Sequence, residues 1–243
     1  MNIGHFRCGL RAIVLLLVAF SAPAAQFLVV QPVDAGVSTV TQSFNSLLSN
    51  EENYAIKIFG QIGLNIDFLP AIADASVPAN YDGTNPNEPN YFLNSTSFET
   101  LPTLTVWFVG SITNQGAADR GLTYQPFTFK TGVWIASSAV NDTLAHEIGN
   151  ALYYGHETSG TPSHLMDVGA YPNGSPDRSI PISLSQIYVG SNFDQITSTE
   201  EQRMLGNNAF VQSVPEPPCS CLALAAAAVI AGRSMVSGRY FRT

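Results

Sequence analysis

The residues best suited to chemistry lie in one stretch, where His146 is followed at once by Glu147. The surrounding residues favour a helix from Thr143 to about Tyr154, which places an imidazole and a carboxylate on neighbouring faces of one turn. A metal-held water and its general base need this pair of groups. The residue one turn further along the face of His146, roughly 6 Å up the axis, is Asn150. The stretch therefore predicts a metal-dependent hydrolytic site.

Two more histidines, His156 and His164, follow this helix and are candidate metal ligands. If the helix ran straight on, His156 would lie roughly 15 Å along the axis from His146, too far to share a metal ion. Gly155 is the nearby residue that most readily bends the chain. His164 stands two residues before Met166 in a short loop and is a rival ligand. The spacing leaves both candidates open.

Composition narrows the class of protein. The chain has 243 residues, 45% of them hydrophobic and only 12% charged, with a net charge of −8. A chain of this length can bury one sizeable core. Nucleic acid is an unsuitable partner for so acidic a protein, because phosphate binding requires a basic surface.

The N-terminal residues 1–25 are typical of a signal peptide. Arg7 and Arg11 precede an apolar run at 12–20, and small residues follow at 21–25. The alternative is an uncleaved anchor helix, for which the run is short. We therefore expect an exported protein, located in the periplasm, at the cell surface or outside the cell.

The C-terminal residues 215–243 form a second targeting segment. Pro-Glu-Pro at 215–217 precedes an apolar run at 219–232, which is followed by three arginines at 233, 239 and 242. This tail resembles the PEP-CTERM sorting signal of bacterial envelope proteins. The resemblance implies recognition by exosortase-like sorting machinery and transient membrane contact through the tail. The alternative is a buried C-terminal helix.

All three cysteines, Cys8, Cys219 and Cys221, fall inside these two terminal segments. The intervening domain at 26–214 is therefore expected to have no disulfide, so burial of apolar side chains, with or without a metal ion, must hold it together.

Hydrophobic periodicity in residues 26–214 predicts an α/β (α+β) fold with about five strands, two long helices packed on the sheet and a C-terminal helix. The predicted strands lie at 27–30, 64–69, 104–109, 123–130 (an edge strand) and 132–136, and the helices at 37–60, 143–154 and from Asp194 or Thr197 through 205. Residues 80–100 are predicted to be a long surface loop, and 116–121 a turn.

The order of elements, the His-Glu helix and the later methionine together resemble the metzincin zinc proteases, whose motif is H-E-x-x-H-x-x-G-x-x-H followed by a Met-turn. By position, His146 matches the first ligand, Glu147 the general base, His156 the third ligand and Met166 the Met-turn. The resemblance implies a mixed, twisted sheet, one zinc ion, and hydrolysis of peptide bonds in a protein or peptide substrate by metal-activated water.

Two positions depart from the family pattern. Asn150 replaces the second histidine, and an amide oxygen is a poorer zinc donor than imidazole, so it is a weak or lost ligand. Tyr153 replaces the glycine at which the family's chain leaves the helix. The sequence therefore supports a zinc endopeptidase impaired by Asn150. It also supports an inactive surface protein of the same fold that binds envelope polymer or a protein partner. A plain structural envelope protein is the third alternative.

Overall fold

The computed structural model describes residues 25–37, 43–95, 102–124, 131–153, 164–166, 183–187, 195–206 and 209–213. Its strands are β1 (Gln26–Asp34), β2 (Leu64–Phe68), β3 (Ile72–Ala73), β4 (Tyr81–Asp82), β5 (Thr103–Val109), β6 (Ile112–Asn114), β7 (Ala117–Asp119), β8 (Gly121–Tyr124), β9 (Gly132–Ala136) and β10 (Val211–Ser213). Its α-helices are α1 (Phe44–Phe59), α2 (Glu88–Leu93), α3 (Thr143–Tyr153) and α4 (Ser198–Leu205), and single 3-10 turns occupy Gly60–Ile62 and Leu184–Gln186.

The main sheet is mixed, and its central strands run in the order β2, β1, β5, β9, β8. The first four are mutually parallel, whereas β8 runs antiparallel to β9 with Gly121 opposite Ile135. The short strands β3 and β10 also pair with β1. The predicted mixed sheet of about five strands with two long helices and a C-terminal helix is confirmed.

Alternation along the strands divides the core between the two faces of the sheet. One face carries Leu104, Val106 and Phe108 of β5, and it packs with α1 and α3 in the larger apolar cluster. The other face carries Trp107, whose ring stacks on Trp134 of β9 at a centroid distance of 5.4 Å. The sheet is therefore covered on both sides, as buried parallel strands require.

The predicted loop at 80–100 is only partly a loop, and this prediction was wrong for its central residues. It contains β4 and helix α2, and Phe92 of α2 packs edge-on against Trp107 and Trp134. A six-residue helix with Pro89 in its first turn carries too little periodicity to be recognised, and burial of Phe92 holds it in place.

The predicted turn at 116–121 was also wrong in its bounds. The chain reverses at Gln115 and Gly116, both with positive φ, and β7 and the start of β8 follow. Two consecutive positive φ angles suit a tight hairpin between β6 and β7. The predicted helix at 37–60 begins at Phe44, because the side chain of Ser43 accepts the N–H of Ser46 as an N-cap.

Residues 26–212 form one compact unit, and a second unit combines 1–25 with 213–243. Almost all of the second unit, including the predicted signal peptide and sorting tail, lies outside the described residues. None of the described helices combines the length and apolar character that a bilayer crossing requires.

Candidate functional site

Helix α3 carries the candidate site and turns one apolar face to the sheet. Leu144, Ala145, Ile148 and Leu152 are buried in the larger cluster, which fixes the rotation of the helix about its axis. His146 and Asn150 lie one turn apart on a half-buried face. The helix therefore directs its polar residues toward β8 and toward the segment at 164–166.

His146 is oriented by a backbone carbonyl. Its Nδ1 lies 2.8 Å from the carbonyl oxygen of Leu165. A carbonyl oxygen can only accept a hydrogen bond, so Nδ1 carries the proton and the lone pair of the neutral ring is on Nε2. Histidines that bind metals are held in this way by an acceptor at the other ring nitrogen. The side chain of His146 therefore fits the role of a ligand through Nε2.

Glu147 is held from the edge strand. The hydroxyl of Thr123, on β8, lies 2.6 Å from Glu147 Oε2 and 2.9 Å from the backbone oxygen of the same residue. The hydroxyl has a single hydrogen to share between these two acceptors. Glu147 is 7% exposed, so its carboxyl group lies almost entirely beneath the strand.

Gly121 makes this close approach of strand and helix feasible. A Cβ atom built at Gly121 would lie 2.7 Å from Glu147 Cγ and 2.8 Å from the methyl group of Thr143. Contacts this short would displace the glutamate. The absence of a side chain at the first residue of β8 thus lets the carboxyl group of Glu147 lie against the strand.

Asn150, at the position where the metzincin motif has its second histidine, contacts Glu147. Its Nδ2 donates to Glu147 Oε2 over 3.1 Å. The two residues are three apart on the helix, where side chains meet. Oε2 therefore accepts from both Thr123 and Asn150. The spacing on the helix was a signal that could have revealed the contact with Asn150, whereas no sequence pattern pointed to Thr123.

The segment at 164–166 packs against the middle of α3. The N–H of Leu165 donates to the backbone oxygen of Gln195 over 3.0 Å, and His164 forms an isolated parallel β-bridge with Gln195. Met166 is fully buried, and its sulfur occupies the space that a Cβ atom at Gly149 would fill. The structure thus brings the predicted Met-turn residue against the site helix. Its role beneath a metal stays a prediction.

The ligand set is only partly within the described residues. His146 and His164 are described, but His156 lies outside them, as do Tyr154 and Gly155. Among the described residues, no three His, Cys, Asp or Glu side chains are grouped so that they could hold a metal ion. The orientation of His146 fits a zinc ligand, and the roles of His156 and His164 as ligands stay predictions.

Comparison with known proteins finds resemblance in structure only. The sequence matches no family model and no curated protein. Metalloproteinase-II from Bacteroides fragilis is similar with a TM-score of 0.47 and 15% identity, over 76% of this chain and 54% of that protein. A zinc-dependent peptidase from Methanocorpusculum labreanum is similar with a TM-score of 0.41 and 10% identity, over 72% of this chain and 99% of that one. This chain spans about half the length of the Bacteroides protein. Neither likeness assigns an activity or a residue role to this chain.

Proposed function

We propose that this chain is a zinc-dependent peptidase-like protein of the metzincin type with Glu147 as its general base. The observation that carries the proposal is the hydrogen bond from His146 to Leu165, which places the ring lone pair on Nε2 one residue before a buried glutamate. His146 would hold the ion together with His156, with its rival His164 or with both, and more weakly with the amide oxygen of Asn150.

Zinc, when bound, supplies a Lewis acid that acidifies water and polarises a peptide carbonyl. The task left to the chain is proton transfer. Glu147 would accept the proton of the attacking water on its carboxyl group, which Thr123 and Asn150 orient through Oε2. It would then return this proton to the leaving amine. The two hydrogen bonds at Oε2 keep the carboxyl group in one orientation through both transfers.

The test is zinc content together with casein hydrolysis by the purified full-length chain. Near-stoichiometric zinc, with cleavage lost in Glu147→Ala and zinc retained, would support the peptidase. Zinc-free protein that gains zinc and activity in Asn150→His would point to a peptidase that has lost its activity. Protein that neither binds zinc nor cleaves casein in either form would refute the proposal.

The ligand set is tested by single alanine variants at the three histidines. We expect His146→Ala to lose zinc. Of His156→Ala and His164→Ala, the variant that keeps its zinc identifies the residue that is not a ligand.

A second candidate function is binding without catalysis, by a surface protein that uses the same fold to hold envelope polymer or a protein partner. The specific observation in its favour is that the Asn150 amide nitrogen is directed to Glu147, where the family has an imidazole ligand. Binding of purified cell-envelope polymer that is equal in wild type and Glu147→Ala, without casein cleavage, would support it. Lack of such binding would count against it.

We also propose that the chain is exported and sorted through its tail, on the basis of the sequence at 1–25 and 215–243. N-terminal sequencing of the mature protein and cell fractionation of a variant lacking 215–243 would test this. A mature protein that begins at Met1 and stays in the cytoplasm would contradict it.

A further inference from the structure

Three residues of α1 hydrogen bond to the start of the site helix or to the turn that precedes it. Asn50 donates to the amide oxygen of Asn141 over 3.1 Å, and Asn141 donates to the hydroxyl of Tyr54 over 3.1 Å. Between them, Glu51 Oε2 accepts the backbone N–H of Leu144 over 2.8 Å. We call Asn50, Glu51 and Tyr54 the α1 clamp.

Glu51 is the central residue of the α1 clamp, and packing alone does not account for it. The side chain is fully buried, and among the described residues its Oε1 has no hydrogen-bond partner. Burying a carboxyl group that is only partly hydrogen-bonded is costly. What the group provides in return is an acceptor for one of the N–H groups that the first turn of a helix leaves unpaired.

The position of Leu144 makes this contact relevant to the site. Leu144 precedes His146 by two residues and Glu147 by three, within the same first turns of α3. Because an α-helix moves as a rigid rod over such a distance, a shift at Leu144 is transmitted to both side chains. His146 must meet Leu165 and Glu147 must meet Thr123, over distances of 2.8 and 2.6 Å, so neither contact tolerates a displacement of about 1 Å.

We propose that Glu51 is a positioning residue, which sets the place of α3 against α1 through its bond to Leu144 and thereby presents His146 and Glu147 together. The expected effect on zinc affinity rests on the proposed function. The contact between Glu51 and Leu144 does not, because it is observed directly. Glu51 touches neither metal nor substrate and acts only through the helix.

The experiment compares three variants of the full-length chain. Glu51→Ala removes the acceptor, and Glu51→Gln keeps an oxygen that can accept from Leu144. Glu52→Gln alters the neighbouring, half-buried carboxyl group of the same helix and serves as the matched control. Zinc affinity is measured by competition with a chromophoric chelator well below the melting temperature, and amide hydrogen exchange is measured across α3.

We expect Glu51→Ala to weaken zinc binding about tenfold, in the range found for residues that orient ligands. It should also accelerate exchange in the first turns of α3. Glu51→Gln and Glu52→Gln should keep zinc affinity close to that of wild type, and neither should accelerate exchange in the first turns of α3. If Glu51→Ala does not fold, Glu51→Asp, which draws the carboxyl group back from Leu144, takes its place.

A role in stability alone would lower the melting temperature of Glu51→Ala while leaving zinc affinity and helix exchange in the folded protein unchanged, and that result would overturn the inference. Wild-type protein that binds no zinc would instead refute the proposed function. The exchange measurement would then still decide whether Glu51 positions the helix.

Discussion

The hydroxyl oxygen of Thr123 lies 2.6 Å from Oε2 of Glu147 and joins the edge strand of the sheet to the candidate general base. The strand and the helix are 24 residues apart in sequence at this contact. The same hydroxyl lies 2.9 Å from the backbone oxygen of Glu147 and shares its one hydrogen between the two acceptors. The edge strand therefore helps to build the site.

Thr123→Val should destabilise the protein by about 1–2 kcal/mol, because it keeps the shape of the side chain and removes the donor to a buried carboxyl group. Thr123→Ser keeps the hydroxyl and is expected to stay close to wild type. Urea unfolding of the three proteins measures the difference. Equal unfolding midpoints for the valine and serine variants would show that the hydroxyl contributes nothing.

Gly121→Ala should cost about 1–3 kcal/mol and reduce any peptidase activity, since its Cβ would collide with Glu147 and Thr143 in a packed region. Gly60→Ala is the control, because that glycine has a φ of −58° and no atom within 4 Å of the added Cβ. Thermal unfolding would measure both variants. A Gly121→Ala protein as stable as Gly60→Ala would disprove the close packing of strand and helix.

His146 should carry its proton on Nδ1 in the neutral ring, because Leu165 offers only an acceptor there. Long-range proton–nitrogen correlation spectra of ¹⁵N-labelled protein distinguish the two tautomers, and the signal is assigned by its absence in His146→Gln. A spectrum that places the proton on Nε2 would mean that the ring is not poised to bind a metal through that atom.

Glu51→Gln should make the protein more stable at pH 8, with a gain that shrinks as the pH falls. Burial is the main cause that raises the pKa of Glu51 from its ordinary 4.5 to about 8. The Leu144 N–H lowers this pKa, and the carboxylate of Asp142 raises it. Between pH 4.5 and about pH 8, Glu51 is deprotonated in the unfolded chain but keeps its proton in the folded chain. The free energy of unfolding of the wild type therefore falls by up to about 1.4 kcal/mol for each unit by which the pH rises.

Glutamine has no such proton, and the other groups near Glu51, Asp142 and Tyr54, are common to both proteins. The difference between wild type and variant therefore isolates Glu51. Urea unfolding at several pH values from 4 to 9 checks the sign. A difference that does not change with pH would show that Glu51 titrates alike in the folded and unfolded chains.

The amino-acid sequence alone determined the main strands, the two long helices and the His-Glu helix. Each depends on a local pattern: a period of two for β2 and one near 3.6 for α1, and a density of β-branched and aromatic residues for β5. The spacing of three residues between Glu147 and Asn150 also allows their side chains to meet on a helix, but the contact itself was found only in the structure.

The tertiary structure alone decided which groups orient the side chains of the site helix. The carbonyl of Leu165 that orients His146 has no signature in the sequence, since every residue carries such a carbonyl. Glu51 reaches Leu144 across 93 residues of chain, and its side-chain type says nothing about its partner. Helix α2 likewise depends on burial of Phe92 against two tryptophans rather than on its own six residues. Local patterns determine elements, whereas contacts between distant residues follow only when the folded chain brings them together.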